Sequence, residues 1–192
     1  MSNKPDWAKG AELKRVYPDT KIKPFSCGVD SLDKFLLNDV YKHSTFLGLV
    51  TYVLENEEET IAYYSLENDR LAVACVDDFW EEDLDINFKE LYSDCRSFPA
   101  VKITQLAVNE KYQRQHIGTN LVEYIIGSFV NNTNKTGCQF LLVDALQSVK
   151  SRFFYDSMKF QYATVNDYNQ PTRLLYLCLL GFSLDAKKEV VH

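Results

Sequence analysis

The chain has 192 residues, a formal net charge of −6 and a pI of about 5.1. Its length suits a single domain, residues 1–192, with a sizeable core, and the low content of 7 Gly and 5 Pro excludes a low-complexity chain. No run of 18 apolar residues occurs, which argues against a membrane partner and favours a cytoplasmic protein. The acidic balance disfavours a nucleic acid as the partner, because nucleic-acid binders usually carry a basic surplus.

The five cysteine residues are an odd number, and no two of them form a Cys-x-x-Cys pair. This spacing predicts neither a disulfide framework nor a zinc site. We therefore expect separate reduced thiols, as in a cytoplasmic protein, and no bound metal ion.

The first half of the sequence predicts a strand, a helix and a hairpin. A short strand is expected over residues 12–17, and apolar residues at helical spacing after Asp30 predict a helix. Two β-branched and aromatic runs, 48–54 and 60–66, predict the strands of a hairpin. Residues 71–99 mix acidic and aromatic side chains, and we expect at least one short helix and a long connection there.

The second half alternates strand patterns with helix patterns. Strands over 101–108 and 139–143 are each followed by apolar residues at helical spacing, and the first helix is expected from Gly118 to about Val130. Ser148 is expected to cap the second helix. The residues expected on the apolar face of that helix are Val149, Phe153, Phe154 and Met158.

Two final strands, 161–165 and 173–180, precede a polar tail, residues 182–192. The alternation of strands with helices predicts an α/β fold on a sheet of mixed direction, with its core over residues 12–181. No internal repeat or interdomain linker is evident in the sequence.

A strand, a polar turn and a helix start follow one another at residues 101–120, and this order is typical of a phosphate site. The first backbone N–H groups of a helix have no internal acceptor, and the helix dipole adds partial positive charge there. Gly118 leaves room for an anion to approach the backbone closely. The pattern favours a ligand that carries a nucleotide.

These motifs resemble the GNAT superfamily of acetyl-coenzyme A-dependent N-acetyltransferases over about residues 25–180. The Leu-Ala-Val type end of the family's strand is matched by Leu106, Ala107 and Val108. The family's pyrophosphate loop, Gln/Arg-x-x-Gly-x-Gly/Ala, is matched by Gln113, Arg114, Gln115, His116, Ile117 and Gly118. The family's Phe-Tyr pair and the Gly-Phe that follows it are matched by Phe154-Tyr155 and Lys159-Phe160. His116 and Lys159 thus stand where the family prefers Gly.

The resemblance implies an α/β GNAT-like acyl-CoA N-acyltransferase fold, with a mixed, mostly antiparallel sheet, a splayed strand pair and flanking helices. It implies direct transfer of an acetyl group from acetyl-CoA to an amine, with Tyr155 as general acid and without a metal ion. The residues expected to bind acetyl-CoA are Leu106, Ala107, Val108, Gln113, Arg114, Gln115, His116, Ile117, Gly118 and Thr119. Lys111, Arg114 and His116 are candidate cationic contacts for its phosphates.

The segment 25–36 is similar to the Phe-x-Cys-Gly-x-x-x-Leu-Asp-x-Phe-Leu opening of the acetyltransferase toxins of toxin–antitoxin modules, and 143–146 is similar to their second core strand. Those toxins acetylate the amino group of aminoacyl-tRNA. The resemblance leaves the acceptor open among a small amine, a peptide α-amine and aminoacyl-tRNA. A homodimer and an antitoxin partner are also consistent with it.

The sequence offers no evident general base, because Gln105 stands where many relatives carry Glu, and an amide cannot take a proton. Either a carboxylate within residues 77–94 acts through water, or the amine arrives neutral, which favours an α-amine with a pKa near 8. A non-catalytic GNAT-like module is the alternative that His116 favours. A NAD-binding oxidoreductase is excluded by the incomplete Gly-rich signature.

Overall fold

The computed structural model describes residues 8, 10–79, 86–131 and 134–182. The strands are β1 (Glu12–Arg15), β2 (Val50–Glu55), β3 (Thr60–Ala72), β4 (Ser97–Val108), β5 (Phe140–Leu146), β6 (Gln161–Tyr162) and β7 (Thr172–Cys178). The helices are α1 (Asp30–Lys34), α2 (Val40–Thr45), α3 (Ile86–Tyr92), α4 (Ile117–Val130) and α5 (Val149–Ser157). A π-helical segment, Phe35–Asp39, joins α1 to α2.

The strands are hydrogen-bonded in the order β1-β2-β3-β4-β5-β7-β6. β2 pairs antiparallel with β1 and β3, and β7 pairs antiparallel with β5 and β6. The antiparallel hairpin predicted from the two β-branched runs is thus confirmed.

The chain divides into two compact units, and each has its own apolar core. The first unit comprises residues 1–67 and 103–125. Its core is centred on Tyr63, which has no solvent exposure and whose ring lies 5.4 Å from that of Phe25 and 6.1 Å from that of Phe35. Full burial of a large apolar side chain contributes about 2 kcal/mol, so this cluster fixes α1 and the π-helical segment against the strands.

The second unit comprises residues 68–102 and 126–192. Its core is aromatic, as the 12 Phe and 12 Tyr residues predict. Phe98, only 1% exposed, lies at its centre, with ring centroids 5.3 Å from Phe79, 5.3 Å from Phe88 and 5.6 Å from Phe140. Offset and edge-to-face ring pairs at these distances add stabilisation beyond the area that they bury.

Several predicted elements are confirmed with shifted ends. β3 has 13 residues against the seven predicted, and β4 begins at Ser97, four residues before the predicted start. The residues added to β3 include the polar run Glu67–Arg70, which carries no strand pattern of its own. Pairing with neighbouring strands overrides a weak local preference in such segments.

The predicted apolar face of α5 is confirmed for Phe154 and Met158 and wrong for Val149 and Phe153. Val149 and Phe153 are 69% and 73% exposed, whereas the side chains turned inward are Ser151, Phe154, Tyr155 and Met158. Both sets have helical spacing, and the polar Ser151 concealed the correct one in the sequence. The N-cap was predicted correctly, because the Ser148 hydroxyl accepts a hydrogen bond from the Ser151 N–H at 3.1 Å.

Within the described ranges, no helix combines the length and the apolar composition needed to cross a membrane. The single-domain assignment of residues 1–192 stays a prediction. The predicted polar tail lies outside the described residues from residue 183 onward.

Candidate active site

The predicted strand, turn and helix start are found in the first unit. β4 ends at Val108, a single 3-10 turn covers Glu110–Tyr112, and α4 begins at Ile117, one residue before the predicted start. We call residues 113–116 the phosphate loop. Ala107 is buried in the core of this unit, while Leu106 and Val108 are half-buried.

The N-terminus of α4 has backbone N–H groups whose arrangement suits an anion. The first intrahelical bond runs from the Asn120 N–H to the His116 carbonyl at 2.9 Å. The N–H groups of Ile117, Gly118 and Thr119 precede it and therefore have no acceptor inside the helix. The dipole of a 14-residue helix adds partial positive charge at this end, so the three amides can bind a pyrophosphate.

Two residues of the phosphate loop adopt the left-handed backbone conformation that favours glycine. Arg114 has φ 63° and His116 has φ 60°. The preference of the GNAT pattern for Gly at the second of these positions is thereby explained. The predicted alternative in which the His116 imidazole faces solvent is confirmed, because this side chain is exposed and has no partner among the described residues.

The family's preference for Gly at the second position of departure, Lys159, is explained in the same way. Lys159, directly after the C-cap of α5, has φ 63°, and its N–H donates to the Asp156 carbonyl at 3.0 Å. Glycine is the usual residue at this position of a helix end.

Lys159→Gly is expected to raise the free energy of unfolding by about 1 kcal/mol, since it removes the cost of a left-handed non-glycine residue. Urea unfolding followed by circular dichroism measures the change. The control is Lys135→Gly, at an exposed residue that has no positive φ. A Lys159→Gly protein no more stable than this control would contradict the explanation.

Gln113 turns towards the protein. Its Nε2 donates to the Cys27 carbonyl and to the Val108 carbonyl, both at 3.0 Å. The side chain of this predicted coenzyme-binding residue is therefore occupied by backbone acceptors. Gln115 is exposed and bonds to the Lys111 carbonyl at 3.1 Å.

The N-terminal motif packs against the turn that precedes the phosphate loop. The Glu110 N–H donates to the Ser26 carbonyl at 2.9 Å. Gly28 has φ 80°, and a Cβ at this position would lie 2.8 Å from Glu110 Oε1. The Asp33 carboxylate accepts from the Cys27 N–H at 2.9 Å and from the Ser26 hydroxyl at 3.1 Å. The Gly and Asp of the motif thus have structural roles in this chain.

Burial disfavours Cys27 as a nucleophile. Burial, assisted by the neighbouring Asp33, raises the pKa of its thiol to about 12. The thiol is therefore protonated at neutral pH, and only the thiolate attacks a thioester efficiently. This favours direct acetyl transfer over an acetyl-cysteine intermediate on Cys27.

One of the candidate phosphate contacts is already paired. Lys111 Nζ lies 2.7 Å from Glu59 Oε2, and the Tyr112 hydroxyl donates to the other oxygen of Glu59 at 3.1 Å. The hydrogen bond with Glu59 raises the pKa of Lys111. Arg114 and His116 are the exposed basic residues of the loop without a partner in the described part of the chain.

Sequence reasoning missed Asn109, which holds the turn in place. Asn109 is buried, its Nδ2 donates to the Thr60 carbonyl at 3.1 Å, and its Oδ1 accepts from the Lys111 N–H at 3.1 Å. An Asn directly after a strand and before a helical turn is a capping signal that could have identified it.

Tyr155 lies in the second unit. Its side chain is 7% exposed and packs edge-to-face against Phe154 at 5.0 Å and Phe160 at 5.3 Å. Burial raises the pKa of its hydroxyl. The described residues provide no hydrogen-bond partner for this hydroxyl.

The solvent side of α5 is basic and aromatic. We call it the outer face of α5; its members are Val149, Lys150, Arg152, Phe153, Asp156 and Lys159, all exposed. Three of them are cations and one is an anion, and the cations form no ion pair within the described ranges. This patch contrasts with the net charge of −6 of the whole chain.

The described residues of the acidic segment do not identify a general base. Asp77, in the acidic segment, accepts from the Val165 N–H at 2.8 Å and thereby holds a loop. Residues 80–85 lie outside the described part of the chain. Elsewhere in the second unit, Lys102 on β4 pairs with Asp144 on β5 at 2.5 Å and with Asp69 at 4.0 Å, so these two carboxylates share one cation.

Comparison with known proteins gives concordant findings. The family model described as "Acetyltransferase (GNAT) family" matches residues 30–160. A tRNA-acetylating toxin of Mycobacterium tuberculosis is 25% identical over 167 residues, which cover 87% of this chain and 90% of the toxin. The predicted resemblance to GNAT toxins is thus confirmed.

Solved structures of the toxin AtaT share the fold. AtaT complexed with acetyl-methionyl-tRNAfMet matches with a TM-score of 0.70 and 18% identity, covering 95% of this chain and 99% of AtaT. AtaTR bound with AcCoA matches with a TM-score of 0.70 and 18% identity, covering 96% and 99%. The predicted GNAT fold, with its mixed sheet and flanking helices, is confirmed.

Proposed function

This chain belongs to the acetyltransferase (GNAT) family, and we propose that it transfers the acetyl group of acetyl-CoA to the α-amino group of an aminoacyl-tRNA. The first-turn amides of α4 bind the pyrophosphate of the coenzyme, and Arg114 adds positive charge beside it. The end of β4, Leu106–Val108, binds the pantetheine arm through main-chain hydrogen bonds, like an added strand.

The reaction is a direct acyl transfer. The neutral α-amine attacks the thioester carbonyl carbon, a backbone N–H of β4 stabilises the oxyanion, and the carbon–sulfur bond then breaks. The thiolate of coenzyme A leaves, and the acceptor nitrogen loses a proton as the amide forms. That proton balances the one that the thiolate gains.

Tyr155 assists departure of the thiolate as a hydrogen-bond donor. A phenol with a pKa of 10 or more transfers its proton to a thiolate, whose acid has a pKa near 8.5, only at a cost of about 2 kcal/mol. Burial raises the pKa of Tyr155 and widens this gap. The predicted general-acid role is therefore best described as hydrogen bonding to the developing thiolate, and the acceptor nitrogen supplies the net proton.

The outer face of α5 is the observation that supports a tRNA acceptor. Lys150, Arg152 and Lys159 can neutralise phosphates, and the exposed ring of Phe153 offers a stacking surface for an unpaired base. This face lies on the helix that carries Tyr155. A small cationic amine or a basic peptide would be repelled by it.

The lack of an evident general base in the sequence supports an α-amine as the acceptor. An α-amine with a pKa near 8 is partly neutral at pH 7.5, whereas a lysine amine near 10.4 is almost fully charged and needs a base. Gln105 cannot act as one. The relatives agree in substrate, since one is named as tRNA-acetylating and AtaT was solved with acetyl-methionyl-tRNA.

Transfer of labelled acetyl groups is the test, with aminoacyl-tRNA, uncharged tRNA, a peptide with a free N-terminus and a small amine as acceptors. We expect acetylation of aminoacyl-tRNA alone. If the three cations of the outer face each contact a phosphate, kcat/KM should fall about 20- to 40-fold between 50 and 200 mM salt. Equal rates on the peptide, or a rate independent of salt, would contradict a tRNA acceptor.

Growth provides a second readout of the same proposal. Acetylated aminoacyl-tRNA cannot take part in elongation, so the active enzyme would stop translation in its own cell. We therefore propose that a partner protein neutralises this chain, as an antitoxin would. Expression of the chain alone is expected to arrest growth, and expression of Tyr155→Phe is not.

The predicted homodimer also belongs to this proposal. The mass of the purified protein, measured by light scattering, tests whether two copies associate.

A further inference from the structure

The phosphate loop contains two strained residues and needs external support. Arg114 and His116 both adopt left-handed conformations, which are unfavourable for residues other than glycine. Their side chains are exposed and make no contact within the described residues that would hold the backbone in place. The residue that precedes them, Gln113, makes such contacts.

Gln113 connects three segments of the first unit. Its Nε2 group has two N–H bonds, and the two acceptors at 3.0 Å are the carbonyls of Cys27 and Val108. Val108 ends β4, and Cys27 belongs to the N-terminal motif. The side chain therefore fixes the start of the phosphate loop relative to both.

The carbonyl of Cys27 is itself held in place. The Cys27 N–H donates to Asp33 Oδ1 at 2.9 Å, and the adjacent Gly28 lies directly against the Glu110 side chain. Cys27 is 8% exposed and packs in the core of this unit. Gln113 thus bonds to an acceptor whose position is determined by α1 and by the core.

We propose that Gln113 is a positioning residue for the coenzyme: it holds the phosphate loop in its binding conformation through two donated hydrogen bonds and does not contact the coenzyme. This inference rests on the proposed use of acetyl-CoA. It requires a side chain with two N–H donors at residue 113. Gln and Arg meet that requirement and Glu does not, which gives a physical reason for the Gln/Arg alternation of the GNAT loop pattern.

The test compares Gln113→Glu, Gln113→Arg and Gln113→Met, with affinity for coenzyme A measured by calorimetry. Gln113→Glu keeps the shape but sets a carboxylate against two carbonyl oxygens, and we expect coenzyme affinity to fall tenfold or more. Gln113→Met removes both donors without adding charge, and an intermediate loss is expected. Gln113→Arg should stay within about threefold of the wild type, because its guanidinium can donate to both carbonyls.

A kinetic split separates positioning from general loss of structure. KM for acetyl-CoA should rise in Gln113→Glu while KM for the acceptor stays constant. Gln170→Glu is the matched control, an exposed side chain on the loop before β7, and should bind coenzyme A like the wild type. Thermal unfolding identifies a temperature at which every variant is more than 95% folded by a two-state analysis, and binding is measured there.

Each outcome has one meaning. Equal affinity of Gln113→Glu and wild type would overturn the inference, and so would a Gln113→Arg protein as weak as Gln113→Glu, or a parallel rise of both KM values. A wild-type chain that binds no coenzyme A at 1 mM, where a binding free energy of about −4 kcal/mol would be detected, would instead remove the proposed function.

Discussion

Tyr155→Phe is expected to lower kcat for acetyl transfer by about 100-fold while leaving the affinity for acetyl-CoA unchanged. The substitution removes one hydroxyl from a side chain that is 7% exposed and keeps the ring contacts with Phe154 and Phe160. A hydrogen bond to a thiolate exists only as the carbon–sulfur bond breaks, so its loss affects the chemical step and not coenzyme binding. Single-turnover kinetics measure that step directly.

Stability should be nearly constant in this variant. The Tyr155 hydroxyl has no partner among the described residues, so its removal leaves no buried group unsatisfied, and the free energy of unfolding should change by less than about 1 kcal/mol. Tyr17→Phe, at a side chain that is 53% exposed, is the matched control with unchanged kcat. If Tyr155→Phe also retained kcat, Tyr155 would have no part in the reaction.

The pH dependence of kcat tests the protonation state of Tyr155. Desolvation disfavours the charged phenolate and raises the pKa of Tyr155 above its usual value of 10. The phenol therefore persists to a higher pH than in an exposed tyrosine. We expect kcat to rise through the pKa of the acceptor α-amine, near 8, and to remain level up to about pH 10. A decline between pH 8 and 9 in the wild type that Tyr155→Phe lacks would contradict the raised pKa.

The elements best predicted from the sequence are those whose signals are local. The start of α4 was predicted to within one residue, because an apolar strand, a polar turn and a helical stripe are contiguous. Ser148 was identified as a cap for the same reason. The left-handed conformation of His116 was not predicted, because the sequence alone gives only the departure from the family's Gly.

The elements that could not be predicted depend on long-range contacts. Gln113 and its acceptor Cys27 are 86 residues apart, and no periodicity connects them. The inward face of α5 was misassigned because Phe153, Phe154 and Tyr155 are consecutive and allow two helical phases in a helix of nine residues. The basic outer face of α5 was concealed by the acidic total, since net charge carries no information about where the charges lie.

The double variant Lys150→Glu/Arg152→Glu should lower kcat/KM for aminoacyl-tRNA by about 100-fold or more. Each reversal removes an attraction of roughly 1 kcal/mol to a phosphate and adds a repulsion of similar size. Both side chains are exposed and unpaired within the described ranges, so the loss is not offset by stronger ion pairs in the free protein. Filter binding of aminoacyl-tRNA and initial rates at two salt concentrations measure the effect.

The salt dependence distinguishes this outcome from a damaged enzyme. Loss of two phosphate contacts should make the negative slope of log kcat/KM against log salt shallower by about 2. The affinity for acetyl-CoA should remain that of the wild type. The control, Arg15→Glu/Lys135→Glu, makes the same change in net charge at exposed cations that are not part of α5. If both double variants lost activity equally, the effect would come from net charge, and the outer face of α5 would not be the tRNA-binding surface.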